Sequence, residues 1–562
     1  MSVCFMPFFR EVMQLSLLKK LCGVALSFVL TGIFTMYVYA NSVPTQFENP
    51  ILKGFSPDPS IVRVNDDYYL TNSSFVWFPG LPIYHSKDLV NWELINHAVS
   101  DGTQFNFDQL PDFRGIWAPT IRYHDGLFYI TSTCSKCGGN FYITAKDPKG
   151  KWSDPVWIKD APGIDPSLFW NDDGKAYYSG NDWNFKKDWP AQVAVWTQQI
   201  DLNNNKFIGE RKILTYGHAN NARYAESPHI YKINGKYLLM QAEGGTDIYH
   251  AISVHHSDNV MGPYVADQIN PVLTHRHLGQ NYPIKAIGHA DLVQTQTGEW
   301  WAVLLGMRLL DGEVPLARET FLAKVEFEND TPIFNPGQGK VLIRQSRPDL
   351  PWTPVNSGDI RDEFNTRELG INWHFIRAPR ASGRGRFYRI DQGKLVLGLQ
   401  PQTLDNHMSS ALVLQKIRDH HFQAKTLVTF STDQPNEQAG LAIYRNSESY
   451  FMFTKGNNEL LLTRKYHGQK EVVARIPYAA DKVYLKARAS GLDLQFSYGG
   501  SEESMVTLDT VFNLKVISDS KINKFNGAGI GLYASSNNQL SQNTAQFDWF
   551  EYTQIPAKTL TD

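Results

Sequence analysis

The feature that most limits how this chain can fold is a pattern that occurs five times. Asp58-Pro59-Ser60-Ile61 is followed by an alternating run, an Asn-Asp turn and Tyr68-Tyr69-Leu70. Ala118-Pro119-Thr120-Ile121, Asp165-Pro166-Ser167-Leu168, Glu226-Ser227-Pro228-His229-Ile230 and His289-Ala290-Asp291-Leu292 each open a similar unit. Every unit has a short apolar-alternating run, a tight turn rich in Asp, Asn or Gly, and a second apolar or aromatic run, which is the signature of a β-hairpin. The leading apolar residues Ile61, Ile121, Leu168, Ile230 and Leu292 stand 60, 47, 62 and 62 residues apart. An all-strand repeat of this period predicts a β-propeller of five blades.

Blade symmetry carries a chemical consequence. Three residues before the leading apolar residue stand Asp58, Ala118, Asp165 and His289, and four before it in the fourth unit stands Glu226. Equivalent places in the blades converge on one mouth of the central channel, so three carboxylates from distant parts of the chain are expected to meet there. A lone Asp before Pro can simply cap a turn. Two copies and a Glu at matching phase point instead to paired acid–base chemistry. Glycoside hydrolysis needs one carboxyl to protonate the leaving oxygen and one carboxylate to activate water or attack the anomeric carbon. A third carboxylate nearby raises the pKa of the acid.

The remaining sequence divides readily. Residues 46–345 hold the repeats, and 346–358 form a stiff linker that includes Arg347-Pro-Asp-Leu-Pro-Trp-Thr-Pro354. From 359 to 556 the segments alternate at period two between Gly, Asn and Asp turns, as in a two-sheet antiparallel sandwich. The fold class is therefore all-β. Residues 1–40 read as a signal peptide: Lys19-Lys20, an apolar run from Leu21 to Tyr39, and Val38-Tyr39-Ala40 before Asn41. The protein is thus expected to be exported to the periplasm or the exterior, with no stable membrane partner. An uncleaved anchor is the competing reading of the same run. Cleavage after Ala40 would remove Cys4 and Cys22 and leave Cys134 and Cys137, either as a small-loop disulfide or as free thiols. One such pair is a poor metal site, since zinc usually takes four ligands. A net charge of −2 shows no basic stripe and argues against nucleic acid as a partner.

The chain resembles glycoside hydrolase family 43, the five-bladed β-xylosidases and α-L-arabinofuranosidases. The resemblance rests on Asn49–Ile61, Ser74–Trp92, Gly115–Thr120, Gly163–Phe169, Glu226–Tyr231, Gly288–Val293 and Ala317–Leu322. It implies a concanavalin-like C-terminal sandwich, Asp58 as general base, Glu226 as general acid, and Asp165 as the residue that tunes and orients the acid. It also implies inversion at the anomeric carbon. Arg318 matches a sugar-holding arginine, Phe75 and Trp117 match pocket walls, and His289 matches a channel histidine beneath the sugar. The stretch around Phe525 matches a segment by which the sandwich closes the pocket. Each has an alternative: an ion pair with Glu319 or another acid for Arg318, core packing for Phe75 and Trp117. The resemblance requires no cofactor and designates no metal ligand, though relatives leave room for calcium in the channel. Ser227 and Ala317 stand where many of the β-xylosidases have Gly, so xylosidase specificity does not transfer directly.

The expected activity is removal of terminal α-L-arabinofuranosyl or β-D-xylosyl units from oligo- or polysaccharides of the xylan type, with oligomerisation left open. The alternatives are an endo-acting arabinanase, a carbohydrate-binding propeller without catalysis, and a retaining hydrolase of the fructan-cleaving kind.

Overall fold

The computed structural model describes residues 43–355, 360–380, 386–518 and 525–557. The N-terminal basic and apolar run, with Cys4 and Cys22, lies outside the described residues, as do the end of the Pro-rich stretch at 356–358 and the start of the sandwich segment at 359.

Between Ser60 and Phe334 lie five antiparallel sheets, each led by four strands in chain order. Blade I runs Ser60–Val64, Asp67–Thr71, Gly80–Ser86 and Glu93–Val99. Blade II runs Gly115–His124, Leu127–Ser135, Gly139–Ala145 and Val156–Trp157. Blade III comprises Ser167–Trp170, Ala176–Asp182, Ala194–Asp201 and Lys206–Thr215. Blade IV comprises Glu226–Ile233, Lys236–Glu243, Ala251–Ser257 and Val265–Ala266, with Leu273–Thr274 also on its third strand. Blade V comprises Ile284–Gln294, Trp300–Arg308, Arg318–Glu328 and Thr331–Phe334. The turn signals act as the sequence suggested. Asp125-Gly126 and Asn234-Gly235 take positive φ at both residues (47° and 78°, 52° and 82°), the geometry that matches the twist of a two-residue hairpin.

First strands of blades I to IV touch in succession, and that of blade V packs on blade IV and on the first strand of blade I, which closes a ring. Two devices hold the closure. Asn49 exchanges bonds with blade V, its Nδ2 donating to Leu322 O and its Oδ1 accepting from Leu322 N, both at 2.9 Å. Deeper in, fully buried Asp291 of blade V accepts from Ser60 Oγ at 2.5 Å and Ile61 N at 3.0 Å in blade I. It also accepts from both terminal nitrogens of Arg122 in blade II, at 2.8 and 3.1 Å, and from Tyr231 OH in blade IV at 2.6 Å. Burial raises its pKa, but the charges of Arg122 and His229 and the hydrogen bonds from Arg122 and Ser60 together outweigh it and hold the carboxyl below the usual range. Asp291→Asn leaves the Arg122 guanidinium buried without a counter-charge. The expected cost is roughly 3–5 kcal/mol, read as a lower urea midpoint with no change in slope.

The second half is a sandwich of a nine-stranded and a six-stranded antiparallel sheet. Among the described residues the one helical element is a 3-10 turn, Leu514–Ile517. In the outer sheet, His421–Thr429 buries alternate residues, including Phe422, Ala424 and Val428, as a strand with one wet face should. The six-stranded sheet behaves differently: Gln438–Asn446, Ser449–Lys455 and Gly529–Ser535 are buried at every position. Leu441, Ile443, Phe451 and Phe453 pack toward the partner sheet. Ala442, Tyr444, Tyr450 and Met452 pack with the propeller residues Phe55, Phe75 and Trp77. Backbone pairing continues across the junction, where Phe375–Ile376 pairs with Trp77–Phe78. Gly527 is required here, since a Cβ would stand 2.0 Å from the Phe55 ring.

Candidate active site

The residues at the start of the innermost strands share an unusual backbone. Asp58, Ala118, Asp165, Ser227 and His289, one per blade, have φ of 52°, 24°, 54°, 51° and 51°. Left-handed geometry is costly for residues other than glycine, and it persists where surrounding structure enforces it, often at functional sites. Hairpin register shifts at the same places in three blades, between Trp117 and Thr120, Glu226 and His229, and Gly288 and Asp291. In blade IV the equivalent residue is Ser227. Glu226 is the residue before it, which accounts for its one-position offset in the repeat.

Asp58 is the most firmly held carboxylate. Its Oδ1 accepts from Arg318 Nη1 at 2.7 Å and its Oδ2 from Ser73 Oγ at 2.6 Å. Ser73 Oγ in turn accepts from Ala118 N at 2.6 Å, linking blades I and II beneath the site. Asp165 is buried, and its carboxyl is pushed well above the ordinary range by burial, then by the charges of Glu226 and Asp58, with Arg318 opposing. Glu226 is raised to about 7, chiefly by burial and then by Asp58. The three carboxyls thus lie within one another's electrostatic reach, and two of them hold protons at pH values where an exposed acid has lost its own.

Arg318 is buried and pairs with Asp58. Its neighbour Glu319 pairs with Arg308 instead, at 2.7 and 2.8 Å. The Arg318 guanidinium lies between two rings, 5.4 Å from the centroid of Phe75 and 5.4 Å from that of Phe525. Its Nη2 also donates to Phe525 O at 3.4 Å. The sandwich therefore supplies one face of the site. The Phe525 segment is anchored on the propeller, where Asn526 Nδ2 donates to Asp112 O at 2.9 Å. Phe75 is buried against Phe55 and Trp117, at 5.7 and 6.2 Å between ring centroids, so it serves the core and the site together. Trp117 is partly exposed, with its Nε1 donating to Phe113 O at 3.1 Å.

His289 is buried beside Ser227 and Asp58, its Nε2 3.0 Å from Ser227 Oγ and its Nδ1 4.0 Å from Asp58 Oδ1. Burial lowers its pKa, against the pull of Asp58. Behind it His229 Nδ1 lies 3.0 Å from Arg122 Nη2, and burial drives His229 down to about 3, keeping it neutral. Among the described residues no group of three or more His, Cys, Asp or Glu side chains is arranged to hold a metal. The channel interior holds the ion pair of Arg122 with Asp291. Arg122 brings a positive charge there, and the acceptors of Asp291 are taken by Arg122, Ser60, Ile61 and Tyr231.

Sequence reasoning missed Ser73, Ser227, Arg122 and Asp291 as supports of the site. Asp291 stood inside the fifth motif, and its phase on the strand could have marked it as facing the channel. Nothing in the repeat pattern singled out Ser73, which follows the second strand of blade I. Cys134, near the end of the strand Leu127–Ser135, is joined by a disulfide to Cys137 in the turn that follows.

Comparison with known proteins agrees with this picture. The family described as Glycosyl hydrolases family 43 matches residues 47–332, and the Beta xylosidase C-terminal Concanavalin A-like domain matches 361–553. A xylosidase/arabinosidase of Butyrivibrio fibrisolvens is 36% identical over 528 residues, covering 90% of this chain and 99% of its own. A non-reducing end alpha-L-arabinofuranosidase of Bacteroides ovatus is 35% identical over 552 residues, covering 95% and 99%. The solved xylan beta-1,4-xylosidase of Bacillus halodurans superposes with a TM-score of 0.85 at 30% identity, over 90% of this chain and all of that one. On the strength of both domains and of these full-length likenesses, the chain belongs to glycosyl hydrolases family 43 and is a glycoside hydrolase.

Proposed function

We propose that the protein is an inverting exo-glycosidase that removes terminal α-L-arabinofuranosyl or β-D-xylosyl units from xylan-type glycans. Similar proteins carry xylosidase, arabinosidase and arabinofuranosidase names. In the proposed reaction a water attacks the anomeric carbon while Asp58 takes its proton. The bond from that carbon to the leaving oxygen breaks, and Glu226 supplies the proton that oxygen needs. Asp165 orients Glu226, whose proton is held by burial and by the charge of Asp58. Arg318, between two aromatic faces, holds sugar hydroxyls while it fixes Asp58. His289 forms the floor of the pocket, and Trp117 with Phe75 its wall. The displacement at carbon and the two proton transfers that accompany it exchange no electrons with a carrier, so they call for no redox cofactor.

The observation that carries the exo reading is the closure of the site from the second domain, with Phe525 against Arg318. A site walled on that side favours chain ends over internal bonds. Export through the N-terminal run is also proposed, supported by the Cys134–Cys137 disulfide, which suits an oxidising compartment.

The test is a paired assay on aryl α-L-arabinofuranoside and aryl β-D-xyloside, with the first-formed anomer followed by NMR. Inversion and release of single pentoses are expected. Retention would exclude Asp58 as the water-activating base, and release of oligosaccharides would exclude exo action.

A further inference from the structure

The position of Glu226 fixes where the leaving group must go. If Glu226 hands its proton to the glycosidic oxygen, as proposed above, the first leaving sugar lies against the residues flanking Glu226. The rest of the chain then runs over whatever surface adjoins them.

That surface is built by three connections on the Glu226 side of blades III and IV. Residues 183–193 follow Asp182, 216–225 lead into Glu226, and 244–250 follow Glu243. Their ends share one side of the ring, because Glu226 pairs with Ala242, Glu243 with Ala251, and Ser167 at the head of blade III with Ser179. The three are tied together. Trp189 Nε1 donates to Ala222 O at 2.6 Å, Tyr224 N to Ala191 O at 3.0 Å, and Gly244 N to Arg223 O at 2.8 Å. Buried Glu243 clamps the middle connection, accepting from His218 N at 2.9 Å and lying 2.5 Å from its Nδ1.

On this braced surface the protein leaves rings uncovered. Tyr224 is 39% exposed, Tyr249 56%, Tyr216 40% and Trp183 37%. Among the described residues only Phe113 and Tyr123 are other exposed aromatics, and Phe113 itself adjoins the pocket wall at Trp117. A concentration of four rings on three joined loops is not random surface. Tyr224 stands two residues before Glu226 with φ at 53°, its ring laid against Gly245, where a Cβ would come within 3.1 Å. Flat faces of this kind match the C–H faces of pentose rings and discriminate little between individual sugars.

We propose that Tyr224 and Tyr249, with Trp183 and Tyr216 on the adjoining blade III connections, form a stacking platform for the leaving side of a pentose-based glycan chain. The enzyme then takes its terminal sugar from chains several units long in preference to short glycosides. This inference rests on Glu226 acting as the acid.

The test compares kcat/KM for an oligosaccharide of five units with kcat/KM for the glycosyl fluoride of the same terminal sugar, whose leaving group is a single atom. The ratio is expected to fall about fivefold in Tyr224→Ala and about tenfold or more in the Tyr224→Ala, Tyr249→Ala double variant. Tyr→Phe at both positions keeps the faces and is expected to keep the ratio. An unchanged ratio in the double Ala variant, or an equal fall in the Phe variant, overturns the platform. Glu226→Gln assayed alongside separates the two claims. Full turnover there on a poor leaving group rejects the acid assignment, whereas an unchanged ratio beside an inactive Glu226→Gln rejects the platform alone.

Discussion

Glu226→Gln is expected to lower kcat on unactivated xylo- or arabino-oligosaccharides by about 10²–10⁴-fold. Substrates whose leaving group needs no proton, such as glycosyl fluorides, should be much less affected. One proton accounts for the difference. Burial and the nearby charge of Asp58 raise the Glu226 carboxyl to about 7, so at neutral pH much of it still carries the hydrogen that a leaving alkoxide needs. Wild-type activity should therefore decline as pH rises through about 7, and the variant's residual activity should lack that limb. Stability supplies a second reading with a definite sign. The native fold binds this proton more tightly than the unfolded chain, whose glutamic acids titrate near 4.5. The corresponding stabilisation is complete below about 4.5 and is lost as pH rises to about 7. Above pH 7 the Gln variant should thus melt higher than the wild type. Unchanged turnover on poor leaving groups, with the alkaline limb retained, would remove Glu226 from the reaction.

Asp58→Asn is expected to be at least as damaging, with kcat down by about 10²–10⁴-fold on substrates of every leaving-group class. Here the contrast between good and poor leaving groups should vanish, because an amide cannot accept the water's proton whatever departs. The change also removes the charge that helps keep Glu226 protonated, so the alkaline limb of any residual activity should move below pH 7. Both effects are read from pH series on two pentosides, one with a good and one with a poor leaving group. An alkaline limb that stays in place would mean that burial alone sets the pKa of Glu226. Activity that survives on good leaving groups would reassign the base.

Much of this was legible in the chain because propeller symmetry is written in short, local signals. Asp125-Gly126 and Asn234-Gly235 mark hairpins, and Asp-Pro-Ser marks strand starts, so both the ring and the convergence on one mouth could be reasoned out. The offset of Glu226 was visible but not explained. The left-handed turn falls on Ser227, and a turn of that kind is set by the packing of neighbouring blades, not by the residue itself. The pairings of Arg318 were ambiguous for a related reason. Glu319 is adjacent in sequence yet faces Arg308, while Asp58, some 260 positions away, receives the guanidinium. Alternation along a strand sends neighbours to opposite faces, and only the assembled ring shows which distant carboxylate waits on each. Period-two patterning likewise revealed the sandwich. It gave no hint that three strands of one sheet are dry on both sides, because that depends on what the other half of the protein presses against them.

Those doubly covered strands have a bearing on how such a protein can be taken apart or changed. They are a party wall between the halves, and cutting the chain at the proline-rich joint would strip the wall of one occupant and leave Tyr444, Tyr450 and Met452 facing water. The two halves consequently share one packed boundary and one strand pairing across it. The same wall offers a route for divergence: substitutions around Phe525 can reshape the mouth from the far side without disturbing the carboxylates that the ring supplies.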